Sequence, residues 1–280
     1  MAEPMRVGFV GLGNQGAPMA RALSEAGFDL RVWARRPAAY DQLSGAKYTA
    51  CRTIAELARG REYVGLCARD DGDVEELLAA GLLAHLPAGS VVVNHATGAP
   101  DAARRFEEAG RPFGVAVIDA PVSGGREAAI EKALTTMVGG DHDAVARARP
   151  ALETFSARIH HLGPAGLGQL AKLLNNTLYL ANLRNAEEMV AVAAQLGFDP
   201  EEIVPLIQAS SGSSYALHAL TGMMTVENVV HYQDMMDKDL GHFRDAVRSM
   251  GVADPPLLER AEHGLAGIPE AVRRMAAAHD

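Results

Sequence analysis

The chain has 280 residues, 48% of them hydrophobic. That is enough for two domains and a sizeable core, and too apolar for a disordered chain. Its formal net charge of -9 speaks against nucleic acid as a partner, because phosphate binding needs a basic surface.

The start, Met1-Ala2-Glu3-Pro4, leads into an apolar strand pattern and not into a secretory leader. Up to about Leu162, short apolar runs alternate with helical patterns. Strands are expected over 6–10, 29–33, 63–67, 91–94, 115–119, 135–138 and 160–162. Helices are expected over 17–26, 38–43, 53–59, 73–80 and 100–109. Such alternation favours a parallel sheet with helices on both faces. After Gly163 the period changes. Leu170, Leu173, Leu174, Thr177 and Leu178 fit one long helix over 166–195, which Gly197-Phe198-Asp199-Pro200 ends. Helices over 200–209, 213–222, 234–249 and 255–277 follow, with no further strand. The expectation is an α/β protein: a Rossmann doubly wound parallel sheet over 1–163, then an all-α domain over 164–280. No segment approaches the roughly 20 apolar residues of a membrane span. Two cysteines, Cys51 and Cys67, make a disulfide framework improbable, which fits a reducing cytoplasm.

Gly11-x-Gly13-x-x-Gly16 follows the first strand and opens the first helix. In a dinucleotide cradle, Gly11 permits the tight turn, Gly13 lets backbone approach a pyrophosphate and Gly16 lets the helix pack on the strand. Leu12, Asn14 and Gln15 complete the turn. A purely geometric strand-helix turn is the alternative. The second strand ends in Ala34-Arg35-Arg36, where an NAD site usually carries an acid for the ribose hydroxyl. Guanidinium groups suit a 2′-phosphate, so NADP(H) is preferred over NAD(H); a solvated basic corner is the bland reading.

Asp119-Ala120-Pro121-Val122 leads into Ser123-Gly124-Gly125, beyond a strand end where ligands bind in such sheets. Backbone N–H groups of the two glycines and the Ser123 hydroxyl can hold a small carboxylate; an ordinary Ser/Gly turn is the alternative. Thr97, after the 91–94 strand, reads either as a ligand contact or as a cap. Lys172 sits among leucines, with Asn176 four residues on and Asn175 at three. Carbonyl reduction leaves an alkoxide that needs a proton, which a lysine held by an asparagine supplies. A surface lysine covering apolar neighbours with its stem is the other reading. Ten histidines show no metal-ligand spacing, and no Gly-x-Ser-x-Gly elbow occurs, so no metal site is expected. Ser210-Ser211-Gly212-Ser213-Ser214 reads as a helix-capping loop or a lid contact.

Taken together, the motifs resemble the β-hydroxyacid dehydrogenases. That family includes 3-hydroxyisobutyrate dehydrogenase, tartronate semialdehyde reductase, glyoxylate and succinic semialdehyde reductases and, more distantly, 6-phosphogluconate dehydrogenase. The similarity lies in the 11–19 fingerprint, the 119–125 loop with Met137-Val138-Gly139-Gly140, the 163–176 segment and Lys238-Asp239-Leu240. It implies Lys172 as acid/base with Asn176 as its partner, and Ser123-Gly124-Gly125 as carboxylate site. His231 and Asp239 are implied near the substrate. Thr97, Lys238, Cys67 and Ala68 are implied near the cofactor. The implied reaction is hydride transfer between nicotinamide and a small β-hydroxyacid or its semialdehyde. The 166–195 helix and the alanine- and leucine-rich helices behind it have more apolar surface than a small helical domain covers alone, so a homodimer or tetramer is expected. Imine reduction and a non-catalytic scaffold of the same fold are the rivals. Departures from the family pattern are Gln15 for a common Met, Lys132 for a glycine, Ala96 for a serine, Asn94 and His95 at a strand end, and His231 in place of an aromatic.

Overall fold

The computed structural model describes residues 4–277 and divides into two compact units that meet inside one helix, at Lys172/Leu173. The compact units therefore divide within the long helix, nine residues beyond the 163/164 change of period in the sequence. The reason is packing: the first turn of that helix is fastened to the N-terminal unit, as described below.

In that unit, β1 (Arg6–Val10) leads to α1 (Gly16–Glu25), β2 (Asp29–Trp33), a 3-10 helix (Pro37–Leu43) and β3 (Thr49–Ala50). Then come α2 (Ile54–Ala58), β4 (Tyr63–Leu66), α3 (Asp71–Ala79), α4 (Leu82–His85), β5 (Val91–Asn94), α5 (Pro100–Gly110) and β6 (Ala116–Asp119). These strands form one six-stranded sheet in the order β3-β2-β1-β4-β5-β6, parallel throughout. This is the doubly wound Rossmann arrangement. Central strands are apolar on both faces because helices cover both. Val91 and Val93 pack with Met19 and Leu23 of α1, whereas Val92 packs on the opposite layer with Leu57, Val74 and Phe106.

The remaining strands do not extend that sheet. β7 (Val122–Ser123), α6 (Gly125–Ile130), β8 (Leu134–Val138), α7 (His142–Leu152) and β9 (Ser156–His161) build a second, three-stranded sheet, β7-β8-β9. β7 runs antiparallel to β8 and β9 runs parallel to it. An antiparallel bridge between Asp119 and Gly139 joins the two sheets. Both β7 and α7 are absent from the sequence expectation. Helix α7 is announced by Asp141, whose carboxylate accepts from the Ala144 N–H at 3.0 Å, but Pro150 near its end masks the pattern. Its apolar face, Ala144, Val145, Ala148 and Leu152, joins the α1 side of the core beside fully buried Phe155.

Two sequence departures have structural answers here. Lys132 adopts φ 58, the left-handed conformation a glycine would take freely, so the turn after α6 keeps its shape; its ammonium pairs with Glu25 at 2.9 Å. His95 is 3% exposed and bonded on both ring nitrogens, to the Tyr63 hydroxyl and the Ala120 carbonyl, both at 2.9 Å. Burial holds its pKa down at about 4.

The second unit is helical: α8 (Leu167–Gln195) from Leu173 onward, α9 (Pro200–Gln208), α10 (Tyr215–Gly222), α11 (Val229–Ser249) and α12 (Pro256–Ala277). Helix α8 ends as its sequence predicts. Gly197 takes φ 83, the Phe198 N–H donates to the Ala193 carbonyl and the Gly197 N–H to that of Ala194. Ser214, in the serine-rich loop, caps α10 by accepting from the Leu217 N–H at 3.1 Å. Leu173, Leu180 and Leu183 of α8 share a core with Leu220, Leu240, Phe243, Leu258 and Ile268. Leu174 and Leu178, read as part of the same stripe, are exposed. Among the described residues no helix is long and apolar enough to cross a membrane.

Candidate active site

The glycine turn takes the geometry its three roles require. Gly11 has φ 93, and a methyl group there would overlap the Cys67 carbonyl. A methyl on Gly16 would overlap the Gly11 carbonyl, so α1 can reach the end of β1 only with glycine at this point. At Gly13 nothing lies within 4 Å of the place a methyl would take. Leu12 is buried beneath the turn, Gly13 and Asn14 are exposed and Gln15 is half-buried. Gln15, at the helix N-cap, makes no side-chain cap, and no acid stands in the first turn. An open glycine just ahead of a helix N-terminus, whose dipole favours negative charge, fits the pyrophosphate of a dinucleotide. Arg126 of α6 donates to the Asn14 carbonyl at 3.2 Å and so ties this turn to the segment after Ser123. Nothing local in the sequence marks that contact.

At the end of β2, Ala34 is half-buried and its N–H donates to the Tyr40 hydroxyl at 3.1 Å, which shapes the turn. Arg35 and Arg36 are exposed. Arg35 pairs with Asp73 at 3.2 Å and with Glu76 at 2.9 Å, and Arg69 pairs with the same Asp73 at 2.9 Å. The hydrogen bond from Arg69 holds the Asp73 carboxyl down at about 2. Cys67 and Ala68 lie half-buried just past β4. Desolvation pushes the Cys67 thiol up to about 12, so it lines this edge as a neutral group and not as a nucleophile.

Ser123, Gly124 and Gly125 are half-buried where β7 passes into α6. Gly124 has φ 129 and Gly125 φ 72, conformations that L side chains rarely adopt, so this turn requires glycine at both positions.

Behind this loop, Asp119 at the end of β6 is 2% exposed and receives the start of α8. Its Oδ1 accepts from the Gly166 N–H and its Oδ2 from the Gln169 N–H, both at 2.8 Å. Burial pushes its carboxyl up to about 6, against backbone N–H groups that pull it down. Gln169 reaches in turn to both sides of half-buried Thr97, bonding the Ala96 carbonyl and the Gly98 N–H. Neither Asp119 nor Gln169 has a polar role in the sequence reading. Lys172, half-buried, lies one turn beyond Gln169. Lys172, Thr97, the Ser123 loop and the glycine turn all belong to the N-terminal unit.

In the helical unit, Asn176 is 5% exposed and donates through Nδ2 to Asp239 Oδ2 at 2.8 Å, while its Oδ1 accepts from Asn175 at 3.1 Å. Its amide is thereby oriented. Asp239, 3% exposed, also pairs with Lys238 at 3.2 Å. His231 is exposed on α11. Its neighbour Tyr232, two helical turns before Asp239, shares that residue's face and meets Tyr179 at a ring separation of 6.3 Å. Burial pushes the Tyr179 phenol up to about 12. The tyrosine pair is a feature of this face that the sequence reading missed; the seven-residue spacing from Tyr232 to Asp239 was the available signal. Among the described residues no group of three His, Cys, Asp or Glu side chains is placed to hold a metal.

Residues 6–163 match the family described as the NAD binding domain of 6-phosphogluconate dehydrogenase. Residues 166–272 match the one described as NAD-binding of NADP-dependent 3-hydroxyisobutyrate dehydrogenase. The chain belongs to the β-hydroxyacid dehydrogenase family. It is 35% identical over 263 residues to the NAD-dependent L-serine dehydrogenase of Pseudomonas aeruginosa, covering 89% of this chain and 88% of that protein. The 3-hydroxyisobutyrate dehydrogenase of the same organism is 35% identical over 214 residues, 76% of this chain and 72% of that one. A solved structure, Mycobacterium tuberculosis 3-hydroxyisobutyrate dehydrogenase with L-serine, superposes with a TM-score of 0.82 at 27% identity, covering 97% of this chain and 99% of that one. The chain is accordingly a hydroxyacid dehydrogenase acting on a CH–OH group with a nicotinamide dinucleotide, NAD or NADP.

Proposed function

We propose that this β-hydroxyacid dehydrogenase uses NADP(H) in preference to NAD(H), acts on a small 3-hydroxyacid or its semialdehyde, and employs Lys172 as proton donor and acceptor. The observation that carries the reading is the fastening of α8. Asp119 and Gln169 fix its first turn to the ends of β5 and β6, one turn ahead of Lys172. Strand ends of this kind are where ligands bind in such sheets.

Bound nicotinamide supplies or takes the hydride. Ser123 and the N–H groups of Gly124 and Gly125 bind the substrate carboxylate. In reduction, the Lys172 ammonium gives its proton to the oxygen that becomes the hydroxyl; in oxidation the neutral amine takes it back. Asn176, whose amide Asp239 orients, lies four residues on along α8. The cofactor preference is supported by Arg35 and Arg36 at the end of β2, where no carboxylate stands to take a ribose hydroxyl. The substrate class is supported by the relatives named for L-serine and 3-hydroxyisobutyrate, both 3-hydroxyacids substituted at carbon 2.

The test is turnover of L-serine, 3-hydroxyisobutyrate and the matching semialdehydes with both dinucleotides, in the wild type, Lys172→Ala and Lys172→Arg. Lys172→Ala should bind cofactor normally and lose about 10²-fold or more in kcat. Lys172→Arg should not recover it, since a guanidinium stays protonated. Full activity in Lys172→Ala would refute the assigned role.

A further inference from the structure

Gln169 is 1% exposed and carries no group that can donate a proton or attack a substrate. Nonetheless both polar atoms of its amide are engaged. Nε2 donates to the Ala96 carbonyl at 2.7 Å, and Oε1 accepts from the Gly98 N–H at 2.9 Å. These two backbone groups flank Thr97. The Gln169 N–H meanwhile donates to Asp119 Oδ2. One residue thus grips the turn beyond β5 through its side chain and the end of β6 through its backbone.

The approach is close on every side. A methyl on Gly168 would come within 2.7 Å of Asp119 Oδ2 and 2.8 Å of the Gly139 nitrogen. A methyl on Gly139 would come within 2.8 Å of the Gly168 nitrogen. The start of α8 therefore has no room to slide. A helix is stiff over a single turn, so the position of residue 169 sets that of residue 172. A primary amide places a donor and an acceptor side by side on one planar group; methionine has no donor and only a weak acceptor, and an ionised glutamate has no donor.

We propose that Gln169 is a positioning residue that fixes Lys172 relative to the Thr97 turn, with Asp119 as its anchor. This rests on the assignment of Lys172 as acid/base. A misplacement of about 1 Å at a reacting group costs on the order of 10²-fold in rate.

The experiment is a double-substitution cycle. Gln169→Met is made in the wild type and in Lys172→Ala, with kcat, KM and NADPH affinity measured well below the thermal midpoint of each variant. Gln169→Met alone should lower kcat by about 10- to 100-fold while leaving KM and cofactor affinity little changed. In the Lys172→Ala background it should add little further loss, because the group it positions is gone. If Gln169→Met does not fold, Gln169→Glu, which keeps the acceptor for Gly98, carries the same cycle and the same expectation. Full kcat in the glutamine variant beside an impaired Lys172→Ala would overturn the positioning role and leave the lysine assignment standing. Equal fold losses in both backgrounds would also overturn it. An active Lys172→Ala would remove both.

Discussion

Alanine at Gly11, Gly13 and Gly16 should produce two distinct kinds of damage. At Gly13 the space for a methyl is empty, so the free protein accommodates it. Stability should hold or rise by about 0.4–1 kcal/mol, because the unfolded chain loses freedom. At Gly11 the backbone sits at φ 93 and the methyl would overlap the Cys67 carbonyl. Left-handed strain of about 1–2 kcal/mol and overpacking of about 1–3 kcal/mol together predict a loss of about 2–5 kcal/mol. Gly16→Ala carries the overpacking alone, against the Gly11 carbonyl, and should lose about 1–3 kcal/mol. Cofactor binding should respond differently. The Gly13 methyl would stand where a pyrophosphate oxygen must approach the backbone, and one charge-assisted hydrogen bond is worth about 1.5–3 kcal/mol. Gly13→Ala should therefore bind dinucleotide about 10- to 100-fold more weakly. Denaturant unfolding without cofactor measures the first quantity and NADPH fluorescence titration the second. The reasoning fails if Gly13→Ala binds like the wild type, or if it is destabilised as much as Gly16→Ala.

Two further expectations follow from buried and surface charge. Glu76→Gln removes one of the two carboxylates that engage Arg35; it should tighten NADPH by a few-fold at low salt, leave NADH unchanged and lose its effect as ionic strength rises. An unaltered NADPH:NADH affinity ratio would count against Arg35 as a phosphate contact. The second concerns pH. His95 titrates at about 4 in the fold, below its ordinary 6.5, so its contribution is present above pH 6.5 and is lost, by about 3 kcal/mol, as pH falls toward 4. Asp119 is raised from 3.8 to about 6, so its contribution is present at low pH and is lost as pH rises through that interval. The two slopes oppose each other between pH 4 and 6. Asp119→Asn should be less stable overall and should lose stability more steeply than the wild type on acidification from pH 6 to 4. Parallel stability-pH curves would refute this balance.

The elements built from neighbouring residues were legible in the sequence. Gly11, Gly13 and Gly16 act within one turn, so their spacing announces their geometry. The long helix is written in its apolar period and in the Gly197-Phe198 end that satisfies its last carbonyls. Lys172 and Asn176 share a face by helical arithmetic alone. What the sequence left open depends on partners far along the chain. The 135–138 and 160–162 strands looked like further members of one sheet; they form a second sheet because β8 pairs with β7 and β9 and not with β6. Arg35 read as an available guanidinium, but α3 brings it two carboxylates. Asp119 lies 47 and 50 residues from the N–H groups it receives, and Gln169 more than 70 from the turn it holds. A buried amide or carboxylate must find its partners wherever the fold supplies them, and no local period records where that will be. Residue type and short spacing determined the chemistry on offer; the tertiary structure decided which groups are held, by what, and how firmly.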